Sequence, residues 1–411
     1  MEHGILGALG NPERAYPCIH VAGTNGKGSV CAMLESVLRA AGFRTGLYIS
    51  PHLIRFNERI RAGGAEASDA ELESLAQAVE AVEGGVAERL GKPATYFEFS
   101  TAMMFEHFRR AKVDIAVLET GMGGRLDATN VVVPAVAVIT PVGMDHMAYL
   151  GSDLASIAGE KAGIIKRGRP VVAGRQDPAA MEVIRRVAVS KGASLVAADE
   201  AVSVRRMSED WAGQKVSVET ADWAVGSVNL PLLGDYQLGN LAIVAATVGV
   251  LRGAGLAIDE KAFRKGIAGT VWPGRMHVLQ GEPPVLLDGG HNPHAAAAVA
   301  EFLKRRIKGR PLGMVFGMCR DKDMAGYLDA FRGMARRFWA VPIRTERSLS
   351  AAEVASVAKC LCDDVREMDS VMAGVEEAIA WAKVSGGAVC VSGSLYLAGE
   401  VLAEWRPTKM L

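Results

Sequence analysis

The hydrophobic pattern of the chain alternates between short apolar runs and longer amphipathic segments. Residues 17–21 form an apolar run, and after a glycine-containing loop apolar side chains recur at spacings of three and four from Val30 to Ala41. The first pattern predicts a buried strand and the second predicts a helix. The same alternation continues to residue 191, which predicts a parallel α/β sheet.

Further elements follow from the same patterns. Apolar runs predict strands at 45–49, 113–118, 135–140 and 170–173, and helical spacing predicts helices at 69–90, 96–110 and 178–190. Short alternating segments with turns between 195 and 230 predict a small antiparallel sheet appended to this first domain. Two helices, at about 235–251 and 259–266, complete it.

Turn residues near position 280 predict a domain boundary. Proline and glycine occur together at 273–274 and again at 281–284, and we place the boundary between them, giving domains 1–276 and 282–411. The second domain alternates again, with strands at 285–287, 312–316, 338–341 and 388–391. This pattern predicts a small open α/β sheet.

Composition narrows the class of protein. Half of the 411 residues are apolar, which suits two buried cores, and the formal net charge is zero, which argues against a nucleic-acid or anionic-membrane partner. The six cysteines form no Cys-x-x-Cys pair, so neither a disulfide framework nor a zinc site is indicated. No signal peptide and no apolar run of membrane-spanning length are visible, so we predict a cytoplasmic protein.

The loop after the first strand has the composition of a phosphate-binding loop. It reads Gly-Thr-Asn-Gly-Lys-Gly-Ser at 23–29, between a predicted strand and a predicted helix. Glycines let backbone N–H groups approach phosphates, the helix N-terminus adds partial positive charge, and Lys27 adds a full one. The usual eight-residue motif has Ser or Thr directly after the lysine, whereas here Gly28 intervenes. The alternative is a glycine-rich turn of an ordinary βα unit.

Polar residues follow three other predicted strands. Ser50 ends the strand at 45–49, Glu119 ends the strand at 113–118, and His146 follows the strand at 135–140. If these strands are parallel neighbours, their carboxyl ends form one rim that suits Mg²⁺ and nucleotide phosphates. Taken singly, Ser50 is more typical of a cap and His146 of a structural histidine. Glu119 is harder to explain as structural, because burying an unpaired carboxylate is costly.

A series of motifs resembles one known family. They are GTNGKGS (23–29), SPH (50–52), TYFEF (95–99), ETGMGGRLDATN (119–130), DHMAYLG (145–151), EKAGIIK (160–166), PGR (273–275), DGGHNPHA (288–295), RDKD (320–323) and SGSLYLAGE (392–400). Because these motifs occur in the family's order over most of the chain, it is identified as a member of the folylpolyglutamate synthases and dihydrofolate synthases, within the Mur ligase superfamily. The resemblance implies a P-loop-type parallel sheet ATPase domain with a small antiparallel sheet, and a smaller C-terminal Rossmann-like α/β domain.

The resemblance also implies an activity. Such a ligase uses ATP and Mg²⁺, at two metal sites, to add L-glutamate to dihydropteroate, to a reduced folate or to both, through an acyl phosphate. Alternatives within the family are a monofunctional folylpolyglutamate synthase and a catalytically impaired nucleotide-binding relative. A monomer is implied. The segment before His20 is shorter than in the family, which bears on pterin binding.

Site residues carried over from the family fall into four groups, and Lys161 among them is expected to be carbamylated. The catalytic group is Lys27, Lys161, His146 and His291. The ATP-binding group is Thr24, Asn25, Gly26, Lys27, Gly28, Ser29, Asn240, Arg275 and Asp288. The metal-binding group is Ser50, Glu119 and His146, and the pterin-binding group is Thr95, Leu126, Asp127 and Ala128.

Rival functions explain the sequence less well. A dinucleotide-dependent oxidoreductase would need glycine where Leu126 follows the glycines at 121–124. A nucleotide-binding regulator without catalysis would not need Lys27, Glu119 and Lys161. A peptidoglycan-precursor ligase would carry a uridine-nucleotide-binding domain ahead of the phosphate loop.

Overall fold

The computed structural model describes residues 1–144 and 147–405. The chain divides into two compact units. Unit 1 comprises Met1–Met207, Lys215–Pro231 and Gln237–Thr270, and unit 2 comprises Ser208–Gln214, Leu232–Tyr236 and Val271–Leu411.

Unit 1 is built on an eight-stranded sheet. Its strands are β1 (Cys18–Ala22), β2 (Thr45–Tyr48), β3 (Ile60–Ala62), β4 (Ala65–Glu66), β5 (Ile115–Glu119), β6 (Val136–Ile139), β7 (Val171–Ala173) and β8 (Leu195–Ala197). The spatial order is β4-β3-β2-β5-β1-β6-β7-β8. In the part of this order that runs β2-β5-β1-β6-β7-β8, all neighbouring strands are parallel. β3 and β4 pair antiparallel at the edge next to β2. The predicted parallel arrangement of β2, β5, β1 and β6 is therefore confirmed.

Helices surround this sheet, and a three-stranded sheet follows it. The helices are α1 (Glu2–Ala8), α2 (Lys27–Ala40), α3 (Asp69–Leu90), α4 (Tyr96–Arg110), α5 (Met147–Leu150), α6 (Leu154–Ala162), α7 (Pro178–Ser190), α8 (Ala198–Ala201), α9 (Tyr236–Gly253) and α10 (Glu260–Ala268). The small sheet consists of β9 (Val202–Asp210), β10 (Gly213–Thr220) and β11 (Ala224–Leu230), in the order β11-β10-β9. The sequence pattern did not predict α1, because a helix of seven residues is too short to establish a period.

Two apolar cores hold helices against the large sheet. Phe105 and Phe108 of α4 join side chains of α1, α3 and β5 in one core. Ile157 of α6 and Ile184 of α7 join β6 and β7 in another. Both α3 and α4 begin with capping boxes, in which a Ser or Thr hydroxyl accepts from the N–H of a Glu three residues later. These caps explain why the predicted starts at 69 and 96 are correct.

A single glycine sets the approach of α10 to α2. A Cβ added at Gly266 would lie 2.4 Å from the Cα of Val37, a backbone atom that cannot rotate away. The Ser36 hydroxyl donates to the carbonyl of Gly266 at 2.6 Å, so the two helices are also joined by a hydrogen bond. We expect Gly266→Ala to lower the free energy of unfolding by about 1–3 kcal/mol, measured by urea denaturation.

The matched control is Gly249→Ala in α9, where an added Cβ meets nothing within 4 Å. Alanine is the better helix former, so this variant should gain about 0.5–1 kcal/mol. Equal stability changes in both variants would show that helix propensity, rather than the close approach, decides the outcome.

Unit 2 contains a six-stranded sheet. Its strands are β12 (His277–Gly281), β13 (Pro284–Asp288), β14 (Leu312–Phe316), β15 (Ala335–Ala340), β16 (Val365–Glu367) and β17 (Ala388–Ser392), in the order β12-β13-β17-β14-β15-β16. Only β12 among these strands pairs antiparallel. The helices are α11 (Pro293–Arg306), α12 (Met324–Asp329), α13 (Ala351–Ala358), α14 (Val371–Ser385) and α15 (Leu395–Glu404).

Two strands of this sheet were not predicted. β12 is only partly buried and β16 has three residues, so neither shows an apolar run. Unit 2 also includes residues 208–214, where the Trp211 ring packs edge-on against Phe302 of α11 with centroids 5.8 Å apart. Within the described parts of the chain, no helix has the length and apolar character needed to cross a membrane.

Candidate active site

The predicted phosphate loop occupies residues 23–26, between β1 and the first turn of α2. The N–H groups of Thr24 and Asn25 donate to the carbonyl of Pro141 at 3.0 and 3.2 Å. The Thr24 hydroxyl lies 3.0 Å from both the carbonyl and the N–H of Gly143. The loop is therefore fixed to the segment that follows β6, and its shape depends on two neighbouring strand ends.

Two glycines of this loop allow approaches that no side chain would. Gly23 has φ +156°, and a Cβ there would lie 1.8 Å from Thr140 Oγ1. Gly26 has φ +89°, and a Cβ there would lie 2.4 Å from Asn240 Oδ1. Other residues adopt such angles only with strain, so glycine is required at both positions. The approach at Gly26 brings Asn240 of α9 against the loop.

Ser29 and Asn240 are joined through Gln237. The Gln237 side chain donates to the Ser29 hydroxyl at 3.2 Å and accepts from the Asn240 amide at 2.9 Å. All three side chains are buried. The structure thus brings residues 24–29 and Asn240 together, and it places the Ser29 hydroxyl in contact with α9.

Two lysines converge on one carbonyl oxygen of the loop. The Lys27 ammonium donates to Gly23 O at 3.1 Å and to Thr24 O at 3.3 Å. Lys161, on α6, donates to the same Gly23 oxygen at 2.7 Å, and Lys161 is only 4% exposed. The loop is therefore contacted by two amino groups from distant parts of the sequence.

Two predicted metal-binding residues meet at the neighbouring strand ends. β1 and β5 are in register with Val21 opposite Glu119, so Glu119 lies at the sheet edge beside the loop. Glu119 is 5% exposed, and its Oε2 accepts from the N–H of Ser50 at 3.2 Å. His146 lies outside the described residues. Among those that are described, no three His, Cys, Asp or Glu side chains cluster as a metal site.

The glycine-rich loop after Glu119 is organised by Asp127. One carboxylate oxygen of Asp127 accepts from the N–H groups of Gly121 and Met122 at 2.9 and 3.0 Å. The other accepts from the N–H and hydroxyl of Thr129 at 3.0 and 2.5 Å. Burial raises the pKa of Asp127, and these hydrogen bonds oppose the shift. Four donors match the usual acceptor capacity of a carboxylate, so the main role of Asp127 in this structure is to hold the loop in its conformation.

Sequence reasoning missed a residue that supports Asp127. His20 of β1 places Nε2 2.8 Å from the hydroxyl of Thr129. Burial lowers the pKa of His20 to about 3, so the ring is neutral at physiological pH. The Thr129 proton is donated to Asp127, and its oxygen therefore accepts from His20 Nε2–H. The sequence signal was a polar residue at the centre of an apolar strand.

The remaining predicted pterin residues lie around the same loop. Thr95 is the N-cap of α4, where its hydroxyl contacts Glu98 at 2.8 Å. The Leu126 side chain is 79% exposed, and Ala128 begins a short 3₁₀ turn. Phe97, the second residue of α4, packs against the loop so closely that a Cβ on Gly121 would lie 2.5 Å from its ring.

The other predicted residues belong to unit 2. Asp288 ends β13 and accepts from the N–H groups of Met276 and Gly290 at 2.9 and 2.7 Å. Burial raises the pKa of Asp288, and nearby Arg275 opposes the shift. His291 places Nδ1 3.3 Å from the carbonyl of Gly289. These residues form one group at the carboxyl end of β13.

Both parts of the chain match family models. Residues 21–248 match the Mur ligase middle domain, and residues 274–395 match the Mur ligase glutamate ligase domain. The chain is 35% identical over 401 residues to the dihydrofolate synthase/folylpolyglutamate synthase of Bacillus subtilis, covering 97% of this chain and 92% of that protein. It is 36% identical over 391 residues to the Escherichia coli protein of the same name, covering 93% and 85%. The chain belongs to the folylpolyglutamate synthase and dihydrofolate synthase family of Mur ligases.

Solved structures of this family agree over nearly the whole chain. Mycobacterium tuberculosis folylpolyglutamate synthase complexed with ADP and AMPPCP superposes with a TM-score of 0.93 at 35% identity, covering 99% of this chain and 95% of that one. E. coli FolC in complex with DHPP and ADP superposes with a TM-score of 0.87 at 33% identity, covering 98% and 91%. The fold, the family and the class of ATP-dependent ligase are thus confirmed.

In this folylpolyglutamate synthase relative, packing against α6 accounts for the glycine-rich loop at 121–124. They are not a dinucleotide fingerprint, because a 3₁₀ turn follows instead of an α-helix. Gly124 lies against α6, where an added Cβ would lie 2.8 Å from the carbonyl of Glu160, next to Lys161. Arg125 N–H donates to that same carbonyl at 2.7 Å. The glycines therefore allow the loop to reach the helix that carries Lys161.

Proposed function

We propose that this protein is an ATP-dependent ligase that adds L-glutamate to dihydropteroate and to reduced folates. The observation that carries the proposal is the register of β1 with β5. This register places Val21, just before the phosphate loop, opposite Glu119, which supports a reaction at the carboxyl edge of the sheet. The ligands named for the relatives, ADP and DHPP, are consistent with this reaction.

The reaction has two bond-forming steps. The acceptor carboxylate attacks the γ-phosphorus of ATP, which gives an acyl phosphate and ADP. The amine of glutamate then attacks the acyl carbon, loses a proton and displaces phosphate. Activation is needed because a carboxylate is a poor electrophile and phosphate is a better leaving group than oxide. The protein's task is to align the reactants and to neutralise developing charge.

Residues of unit 1 have distinct proposed roles in ATP binding. The N–H groups at the start of α2 would bind phosphate oxygens, and Lys27 would exchange its two loop carbonyls for them. Asn240 would keep the loop in the conformation that Gly26 allows. For unit 2, we propose that Arg275 and Asp288 contact the nucleotide and that His291 contacts glutamate or the acyl phosphate. The proposed division of labour assigns ATP binding to 1–276 and glutamate ligation to 282–411.

The residues at the strand ends fit Mg²⁺. The backbone N–H of Ser50 donates to the Glu119 carboxylate, so the two residues are neighbours, and the carboxylate and the Ser50 hydroxyl would supply hard oxygen ligands. His146 would be the third ligand and would share a second site with Glu119. Bound Mg²⁺ supplies positive charge that offsets the charge on the transferring phosphoryl group. We further propose that Lys161 is carbamylated, since its amino group lies against the phosphate loop.

The test is phosphate release from ATP with Mg²⁺, bicarbonate and L-glutamate, with dihydropteroate and tetrahydrofolate offered separately. We expect release with each acceptor and none when glutamate is omitted. Release with tetrahydrofolate alone would identify a monofunctional folylpolyglutamate synthase. No release with either acceptor would overturn the proposed function.

A further inference from the structure

Arg59 is a largely buried cation with which no carboxylate of the described residues pairs. It is 9% exposed and ends the 3₁₀ turn that precedes β3. The arginines on either side of it, Arg55 and Arg61, both pair with Glu66. Across residues 1–144 and 147–405, no Asp or Glu oxygen lies within ion-pair distance of the Arg59 guanidinium. Burying most of an arginine without a counterion is costly, and the part of its guanidinium that stays accessible points to an anionic ligand.

Aromatic rings hold the guanidinium in place. Its Cζ lies 5.7 Å from the ring centroid of Phe56 and 5.7 Å from that of Tyr96, and the two rings are 6.2 Å apart, edge to face. Cation–π contacts of this kind stabilise the guanidinium and restrict where it can lie. The planar fork is therefore held ready for a planar anion.

The hydrogen bonds of Arg59 leave its outer edge for a ligand. Nε donates to Nδ1 of His52 at 2.8 Å. Neither Nη atom has a hydrogen bond to a described residue, and neither is among the buried polar atoms that lack a partner, so both reach solvent. His52 accepts this hydrogen bond through a ring nitrogen and carries no negative charge, so it does not neutralise the arginine.

Arg59 lies close to the strand ends where the acceptor carboxylate is proposed to react. The Arg59 carbonyl accepts from the N–H of Ile49 at 3.1 Å, and the next residue, Ser50, contacts Glu119. Tyr96 precedes Phe97, which packs on the loop that Asp127 organises. Arg59 therefore lies beside the strand ends proposed for phosphoryl transfer, on the α4 side.

The two proposed acceptors differ in how many carboxylates they carry. Dihydropteroate has one, and that group is consumed by activation. A reduced folate ends in glutamate, so one carboxylate is activated and the α-carboxylate remains charged and must be accommodated. Resting on the function proposed above, we propose that Arg59 binds this α-carboxylate through its two Nη groups and so determines acceptance of folates as opposed to dihydropteroate.

The test compares Arg59→Gln and Arg59→Lys with the wild-type enzyme. Losing a charge-assisted bidentate contact should raise the KM for a tetrahydrofolate monoglutamate about 10- to 100-fold. The KM values for dihydropteroate, ATP and L-glutamate should change less than about threefold. Arg59→Lys should recover only part of the loss, because lysine lacks the planar fork. The matched control is Arg55→Gln, which removes an exposed arginine of the same segment. The partner of Arg55, Glu66, would still pair with Arg61 in this variant.

A second measurement separates this proposal from the proposed function. Fluorescence titration without ATP or glutamate should show that Arg59→Gln weakens binding of the folate monoglutamate and leaves binding of pteroate unchanged. This binding difference decides the proposal even if the wild-type protein releases no phosphate. Equal weakening for both acceptors, no weakening for either, or a rise confined to the KM for L-glutamate would each overturn it. The last result would assign Arg59 to the incoming amino acid. Thermal melting of each variant checks that the fold is kept.

Discussion

Replacing Lys27 by alanine is expected to lower the rate of phosphate release by about 100- to 1000-fold. The Lys27 ammonium lies 3.1 Å from Gly23 O and 3.3 Å from Thr24 O, directly over the loop that would receive the phosphates. Removing a preorganised charge from the place where negative charge develops typically costs this much. The rate is measured with saturating acceptor and glutamate, and ATP affinity is measured separately by titration.

The fold should survive this change. Lys27 is the first residue of α2, alanine is the best helix former, and the two hydrogen bonds of the ammonium go only to its own loop. Lys191→Ala, which removes an exposed lysine at the C-terminus of α7, serves as the control and should retain full activity. If Lys27→Ala kept both its rate and its ATP affinity within about threefold of wild type, the loop would have to bind phosphate through backbone groups alone.

The large sheet could be predicted because its signals are local. The apolar runs at β5 and β6 are continuous up to their last residues and His20 alone interrupts the run at β1, as expected for strands buried on both faces, and each run is followed by a polar or glycine-rich turn. Parallel strands present their carboxyl ends at one edge, so Ser50 and Glu119 could be expected to meet before any distance was known.

What could not be predicted depends on contacts between distant parts of the chain. The Ser29 hydroxyl is engaged by Gln237, 208 positions away, and no local pattern indicates such a pair. Trp211 lies at the tip of the hairpin between β9 and β10, and this tip belongs to unit 2, where the Trp211 ring packs against Phe302. Strand boundaries and helix periods do not encode which side chains meet at such points.

Arg59 shows the same limit at the candidate site. In the sequence it is one of three arginines within seven residues, and nothing distinguishes it from Arg55 or Arg61. Folding pairs those two with Glu66 and places Arg59 between Phe56 and Tyr96, which are 40 positions apart. That no carboxylate of the described residues pairs with Arg59 is therefore a property of the fold.

Lys161 is expected to be as important as Lys27, for a different chemical reason. We expect Lys161→Ala to lose at least about 100-fold in rate, because it removes a 4% exposed amino group that lies 2.7 Å from Gly23 O beside the phosphate loop. Lys161 could act as an ammonium or as a carbamate, and Lys161→Arg distinguishes the two roles. Arginine keeps a positive charge and N–H donors, but it cannot take up carbon dioxide to form the lysine carbamate.

If Lys161 acts as a carbamate, Lys161→Arg should be as inactive as Lys161→Ala. Carbon dioxide adds to the neutral amine and a proton is released, so a ¹³C-bicarbonate NMR experiment on the wild-type enzyme should show a carbamate resonance that both variants lack. If Lys161 acts as an ammonium, Lys161→Arg should keep a substantial part of the activity and no resonance should appear. Retained activity of Lys161→Arg together with the absence of the resonance would reject the carbamate assignment, because arginine cannot form the carbamate and the wild-type enzyme would show none.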